Sequence, residues 1–121
     1  MKIHRSQADA LFSLFIRRRD KWTCRRCLKP FPEGAQNLHS AHIFSRRHWS
    51  TRHDPTNALS LCFTCHQYCG ENPIEFARWC DKKFGAEAMD RLFALSHRVV
   101  KKSNSDEKLR VMALKQMLDR L

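Results

Sequence analysis

Residues 61–66 read LCFTCH. Two cysteines three positions apart present two thiolates from one tight turn, which is half of a zinc site. The other half lies upstream, where Cys24 and Cys27 repeat the spacing. Two such turns complete a tetrahedral four-thiolate site, so Cys24, Cys27, Cys62 and Cys65 are read as ligands of a structural Zn²⁺. His66, pressed against the second pair, admits three readings: a surplus zinc ligand, a helix residue of no consequence, or a ligand for a different metal that does chemistry. Cys69 and Cys80 are left over and read as small buried hydrophobes.

With 121 residues, 42% of them hydrophobic, the chain is expected to form one globular domain with a modest core, which a structural metal would help. Its first twenty residues hold an apolar patch broken by polar residues and followed by arginines. They suit an amphipathic helix rather than a signal peptide or a membrane span. The expected compartment is therefore a reducing cytosol, where six cysteines are not a disulfide framework.

Charge is concentrated. The net charge is +11, and between Arg17 and Arg52 ten Lys/Arg stand against two acids. Such a concentration is the electrostatic footprint of a nucleic-acid binder. General solubility and attraction to anionic lipid are the alternatives, and no amphipathic membrane anchor accompanies the arginines.

Along the chain, residues 6–18 read as a helix capped by Ser6, with Ala8, Leu11, Phe12, Phe15 and Ile16 on one stripe and basic residues at its C-terminus. Residues 22–31 hold the first cysteine turn. Residues 37–44 and 57–61 read as short strands around a polar, basic loop at 45–56, and helical spacing resumes near Phe63. Asn72-Pro73-Ile74-Glu75 predicts a capping box opening a helix that Gly85 ends. A helix over 86–101 is expected to pack through Met89, Leu92, Phe93 and Val100. A last helix over 106–121 carries Val111, Leu114, Leu118 and Leu121 on one stripe. That stripe either completes the core or serves a partner, including a second copy of the chain.

The middle of the chain is thus Cys-x-x-Cys, strand, His42, basic loop, Asn57, strand, Cys-x-x-Cys, His66, helix. In "AHI" (His42), "TNALSLC" (Asn57) and "CFTCH" (His66) it resembles the HNH nucleases. Their ββα-metal fold, also called the His-Me finger, clasps one divalent cation between a hairpin and a helix. "HIFSRR", "STRHDPTN" and "GEN" are similar to the phage NinG-type, or Rap, recombination endonucleases over roughly Trp22 to Phe76. The resemblance implies an α+β domain spanning residues 1–121, with a zinc-stapled core near 22–76 flanked by helices. It also implies cleavage of branched or recombining DNA to 5′-phosphate and 3′-hydroxyl ends, encoded by a phage or prophage and acting in a bacterial cytosol.

The chemistry can be argued from the residues as well. Phosphodiester hydrolysis needs an activated water, a Lewis acid on the phosphate and a cation at the leaving oxygen. A histidine neutral near pH 7 is a suitable base, and His42 is the candidate. His66, in the first turn of its helix, is placed to hold the cation. Asn57 is neither base nor strong ligand, and suits fixing the loop or orienting His42. Arg46, Arg47 and Arg52 are the phosphate-contact candidates, because guanidinium forks match phosphate oxygens.

One position departs from the family. Ala41 stands where most HNH sites carry an acid or a second histidine that ligates the metal. His39 is the substitute, although strand alternation puts it on the face opposite His42. Its other reading is a surface histidine. The cation is Mg²⁺ if oxygen ligands prevail, and Mn²⁺, Zn²⁺ or Ni²⁺ if two imidazoles bind. His48, His53 and Asp54 read as loop or phosphate contacts, and neither His4 nor His97 has a partner visible in sequence. No small-molecule substrate is expected. The rival readings are a DNA-binding protein that has lost catalysis, which Ala41 favours, and a zinc-ribbon interaction module that docks through its last helix.

Overall fold

The computed structural model describes residues 5–100 and 104–121, leaving His4 and the start of the KKSNSDE break outside the description. Five helices surround one two-stranded hairpin among the described residues. The order is α1 (Gln7–Arg19), β1 (Leu38–His42), β2 (Ala58–Cys62), α2 (Phe63–Glu71), α3 (Pro73–Phe84), α4 (Ala86–Ser96) and α5 (Asn104–Asp119). No helix among them is long and apolar enough to cross a membrane.

Helix α1 begins with a capping box. Asp9 N–H donates to Ser6 Oγ at 3.1 Å, and the Asp9 carboxylate accepts from Ser6 N–H at 2.8 Å. Its apolar face buries Ala8, Phe12, Phe15 and Ile16 against α5, where Leu114 is fully enclosed and Val111 and Leu118 pack alongside. The stripe on α5 therefore completes the core, although Leu121 lies outside it and is exposed.

The chain leaves α1 through Lys21 and Trp22, both with φ near +54°. Left-handed conformations are rare for residues with a Cβ. Here the turn is held by Trp22 N–H donating to Arg17 O at 2.9 Å. Asp20 then anchors the corner. Its carboxylate accepts from Ser60 N–H on β2 and from the Arg19 and Arg25 side chains. Burial works to raise its pKa, and those partners outweigh burial and hold it below the ordinary value.

The hairpin is antiparallel, pairing Leu38 with Cys62 and His42 with Ala58. All five residues of β2 are buried, because α1 and the cysteine-bearing segment enclose it. The first strand is shorter than 37–44. Ile43 and Phe44 leave the ladder for the loop, where Phe44 N–H donates to Asn57 Oδ1 at 2.8 Å. A single 3-10 turn at Pro55–Asn57, capped by Asp54, brings the loop back to β2.

Two helical expectations need correction. The capping box at residues 72–75 does not form: Asn72 Nδ2 donates to Tyr68 O and Glu75 takes the Tyr68 hydroxyl. Asn72 ends α2 as it begins α3, so its side chain serves the helix behind it. Helix α4 stops at Ser96 instead of reaching residue 101. Ser96 Oγ turns back to Phe93 O, and the β-branched pair Val99–Val100 that follows is a poor helix former. Phe93 and Val100 are exposed, while Leu92 is buried and Met89 half-buried.

Across these elements runs one buried ionic network. Arg52 Nε donates to Asp9 Oδ1 at 2.8 Å, and His53 Nε2 donates to the same oxygen at 2.7 Å. Arg110 on α5 donates to His53 Nδ1 at 2.9 Å. Burial favours the neutral Asp9 carboxyl, but bonds from Arg52, His53 and Ser6 overcome it and hold the pKa far below the carboxylate range. A carboxyl whose folded pKa is depressed stabilises the fold above its unfolded pKa and loses that contribution as pH falls toward the folded value. Asp9→Asn is therefore expected to lower unfolding free energy near neutral pH by about 3–5 kcal/mol, the loss typical of breaking a buried ion pair. The wild type should approach the variant as pH falls below about 4. Denaturant titrations across pH check this; equal stabilities near pH 7 would contradict it.

Candidate functional site

The segment after α1 forms a knuckle. Cys24 N–H donates to Lys29 O and Leu28 N–H to Cys24 O, with Leu28 in a left-handed conformation. This places Cys24 and Cys27 opposite Cys62, which ends β2, and Cys65, in the first turn of α2. The four sulfurs lie within 4.8 Å of one another. Cys27 and Cys62 are 3.9 Å apart, and a tetrahedron with Zn–S bonds of about 2.3 Å has edges of about 3.8 Å. The donor set could hold a zinc ion and leaves no protein position open, which is the structural type. Burial pushes the Cys65 thiol up to about 12. At Cys24 burial acts the same way, but backbone N–H groups of Cys27, Cys62 and Arg26 bring that thiol down to about 7. So close a group of thiols ionises together only against a dication. The Arg26 guanidinium, 3.4 Å from Cys65 Sγ, offsets part of the charge. Cys69 and Cys80 are buried in apolar surroundings.

A groove of about 1030 Å³ passes between β1 and α1, and His39, His42 and His66 all line it. Alternation sends His42 toward α1, where its ring lies 5.6 Å from Phe12, and His39 toward α2. The groove follows β1, so residues of both faces reach it. His39 Nδ1 and His66 Nδ1 are 3.0 Å apart with rings 69° to each other. Two nitrogens bound at about 2.1 Å to one cation at a right angle would be separated by about 3 Å. Burial, and then the neighbouring His39, lowers the His66 pKa and favours the neutral form that binds metals. These are two donors only. Ala41 is buried against the core and supplies none, and the cysteines are the only cluster of three or more potential ligands among the described residues. Ser40 Oγ, on the same groove, is enclosed without a hydrogen-bond partner, which suits a bound water or ion.

His42 is held from behind. Its Nε2 lies 2.9 Å from the Arg52 carbonyl, which only accepts, so the proton sits on Nε2 and the Nδ1 lone pair is left available. Burial lowers the His42 pKa, against the Arg52 carbonyl and with help from the charge of Arg46, so the ring is neutral at pH 7. Asn57, fully buried, ties both ends of the loop: its Nδ2 donates to Phe44 O at 2.9 Å and to Thr51 O at 3.0 Å.

The arginines divide. Arg46 is half-buried on the groove and Arg47 is exposed. Arg52 is not placed to grip DNA. It is 3% exposed, ion-paired with Asp9 and stacked on Trp49 at 4.3 Å. Its part in the site is its backbone carbonyl. His53 belongs to the Asp9 network, Asp54 caps the 3-10 turn, and His48 lies 5.6 Å ring to ring from His97. Asp9 and Arg110 complete this support and were not anticipated. The only local signal was an acid three positions after a helix-capping serine.

The family model for HNH endonuclease matches residues 24–72, from the first cysteine of the cluster through the hairpin to the end of α2. The match supports the HNH family for this segment, and β1, β2, α2 and the four cysteines have the form of its ββα-metal fold. No curated protein and no solved structure matches the chain.

The cysteine geometry predicts one tightly held zinc per chain. Cys62→Ser should abolish stoichiometric zinc and lower the melting temperature sharply, since metal binding free energy is folding free energy. Zinc release followed with a colorimetric chelator, together with thermal melting, tests this; a variant that melts like the wild type contradicts it.

Proposed function

We propose that the protein is a metal-dependent DNA endonuclease. The observation that carries the reading is the convergence of His39, His42 and His66 on one basic groove beside the cysteine cluster. His42 Nδ1 takes the proton of a water as the water oxygen bonds to phosphorus and the bond to the 3′ oxygen breaks, and that oxygen leaves as a hydroxyl by taking a proton from solvent. The protonated ring then returns its proton to solvent. The Arg52 carbonyl keeps the ring in the tautomer that can do this, and Asn57 keeps the loop in place behind it. Arg46 and Arg47 hold phosphates of the strand. His66 and His39 would hold a divalent cation, Mg²⁺ or Mn²⁺ with Zn²⁺ or Ni²⁺ as imidazole-favoured choices. When bound, it supplies a Lewis acid for the charge that develops on the phosphate and the departing oxygen.

The finer reading rests on the NinG-like motifs. On it the substrate is branched DNA in phage recombination, within a bacterial cytosol. Paired cuts at a four-way junction would require a homodimer. A second reading, a DNA-binding protein without catalysis, is favoured by Ala41, which leaves two imidazoles as the protein donors.

His42→Ala should lower cleavage of plasmid DNA about 10²–10⁴-fold, the usual contribution of a general base, with zinc content and DNA affinity retained. Because burial lowers the His42 pKa, wild-type activity should persist below pH 6.5, the ordinary value, and fall only as the ring protonates. Cleavage by the variant at the wild-type rate contradicts the assignment. DNA binding without cleavage in any divalent cation favours the second reading.

A further inference from the structure

The wall of the groove opposite the histidines belongs to α1 and lies outside the segment matched to the HNH family. Residues 5, 9, 13 and 17 are spaced four apart, so they follow one another along one side of the helix and the residue before its cap. All four line the groove. Asp9 is the acid among them, and its carboxylate is taken up by Arg52 and His53. Arg5 and Arg17 are in no ion pair among the described residues. The groove therefore presents uncompensated positive charge from both walls, with Arg46 on the other side.

Arg5 is not where helix stability alone would place a cation, whereas Arg17, in the last turn, suits the dipole. Arg5 stands at the N-terminal, positive end of the α1 dipole, where a cation is unfavourable. Arg17 is half-buried and stacked on Trp22 at 4.9 Å, with Nε donating to Ser13 O. Burial, and then the charge of Arg5, lowers its pKa. Two like-charged guanidinium groups on one wall of the groove gain from an anionic strand lying along it, and their planar forks match phosphate oxygens.

The geometry points to α1 as a second nucleic-acid contact element, with Arg5 and Arg17 gripping the phosphate backbone of the strand whose scissile bond lies over His42. This deepens the proposed function and rests on its assignment of the groove to DNA. It also replaces the lost contribution of Arg52, because the grip opposite the loop comes from a helix and not from the loop's third arginine.

The test is equilibrium binding of a short fluorescent DNA, followed by anisotropy over a salt titration without added Mg²⁺ or Mn²⁺. The slope of log affinity against log salt falls by about one for each phosphate contact removed. Arg5→Gln/Arg17→Gln should lower the slope by about two and weaken binding at low salt by about ten- to a hundred-fold. Arg17→Lys, which keeps a cation, should recover part of the affinity. Arg91→Gln/Lys115→Gln removes the same charge from exposed positions on α4 and α5 outside the groove and should leave the slope unchanged. Circular dichroism and zinc content report folding. If the double variant does not fold, Arg5→Gln alone, exposed and outside the helix, must still lower the slope by about one. Wild-type binding with an unaltered slope in the Arg5 and Arg17 variants overturns the proposal and leaves the nuclease reading standing. Absence of wild-type DNA binding overturns both.

Discussion

Cys62 and Cys65 hold the corner at which β2 turns into α2, and the groove takes its shape from that corner. Cys62 ends the strand and caps the helix, its sulfur accepting from Cys65 N–H at 3.4 Å. The knuckle carrying Cys24 and Cys27 closes over the same point and bonds to the β2 edge through Arg25 N–H and Ser60 O. With the corner held, His66 emerges one position beyond the cysteine pair toward β1 and meets His39. A few residues of sequence thus serve two centres: the sulfurs face the core, and the next side chain faces the groove.

The opposite side of the groove depends on a buried carboxylate. Asp9 draws Arg52 and His53 inward and, through Arg110, ties the loop to α5. Burying a charge is unfavourable unless it is paired and hydrogen-bonded, and Asp9 is satisfied by three neighbours. The consequence at the site is geometric. The Arg52 side chain is pinned, so its carbonyl is pinned, and that carbonyl sets the His42 tautomer. Helix α1 therefore supports the candidate base through Asp9 and Arg52, while Arg17 on the helix and Arg5 before it line the groove.

Much of this was legible in the sequence because it is local. The Ser6 cap, cysteine spacing, the end of α3 at Gly85 and the His42–Asn57–His66 order need only short windows. What was not legible depends on distant partners. Arg52 looks like Arg46 and Arg47 in a basic loop, and only an acid 43 positions away distinguishes it. His39 and His42 alternate along a strand, but a groove that follows β1 gathers both faces. Helix α4 carried helical spacing to residue 101, yet no buried surface rewards its last turn, and the Ser96 hydroxyl closes it early.

On the proposed function, His39 and His66 hold a cation apart from any zinc among the four cysteines. Crystals of the protein soaked in Mn²⁺ and measured at the manganese and zinc absorption edges test it most directly. Two anomalous peaks are predicted, zinc among the four cysteines and manganese between the two Nδ1 atoms in reach of the His42 side of the groove. Density at the cysteines alone, with the His39 and His66 rings turned away from each other, would contradict the account.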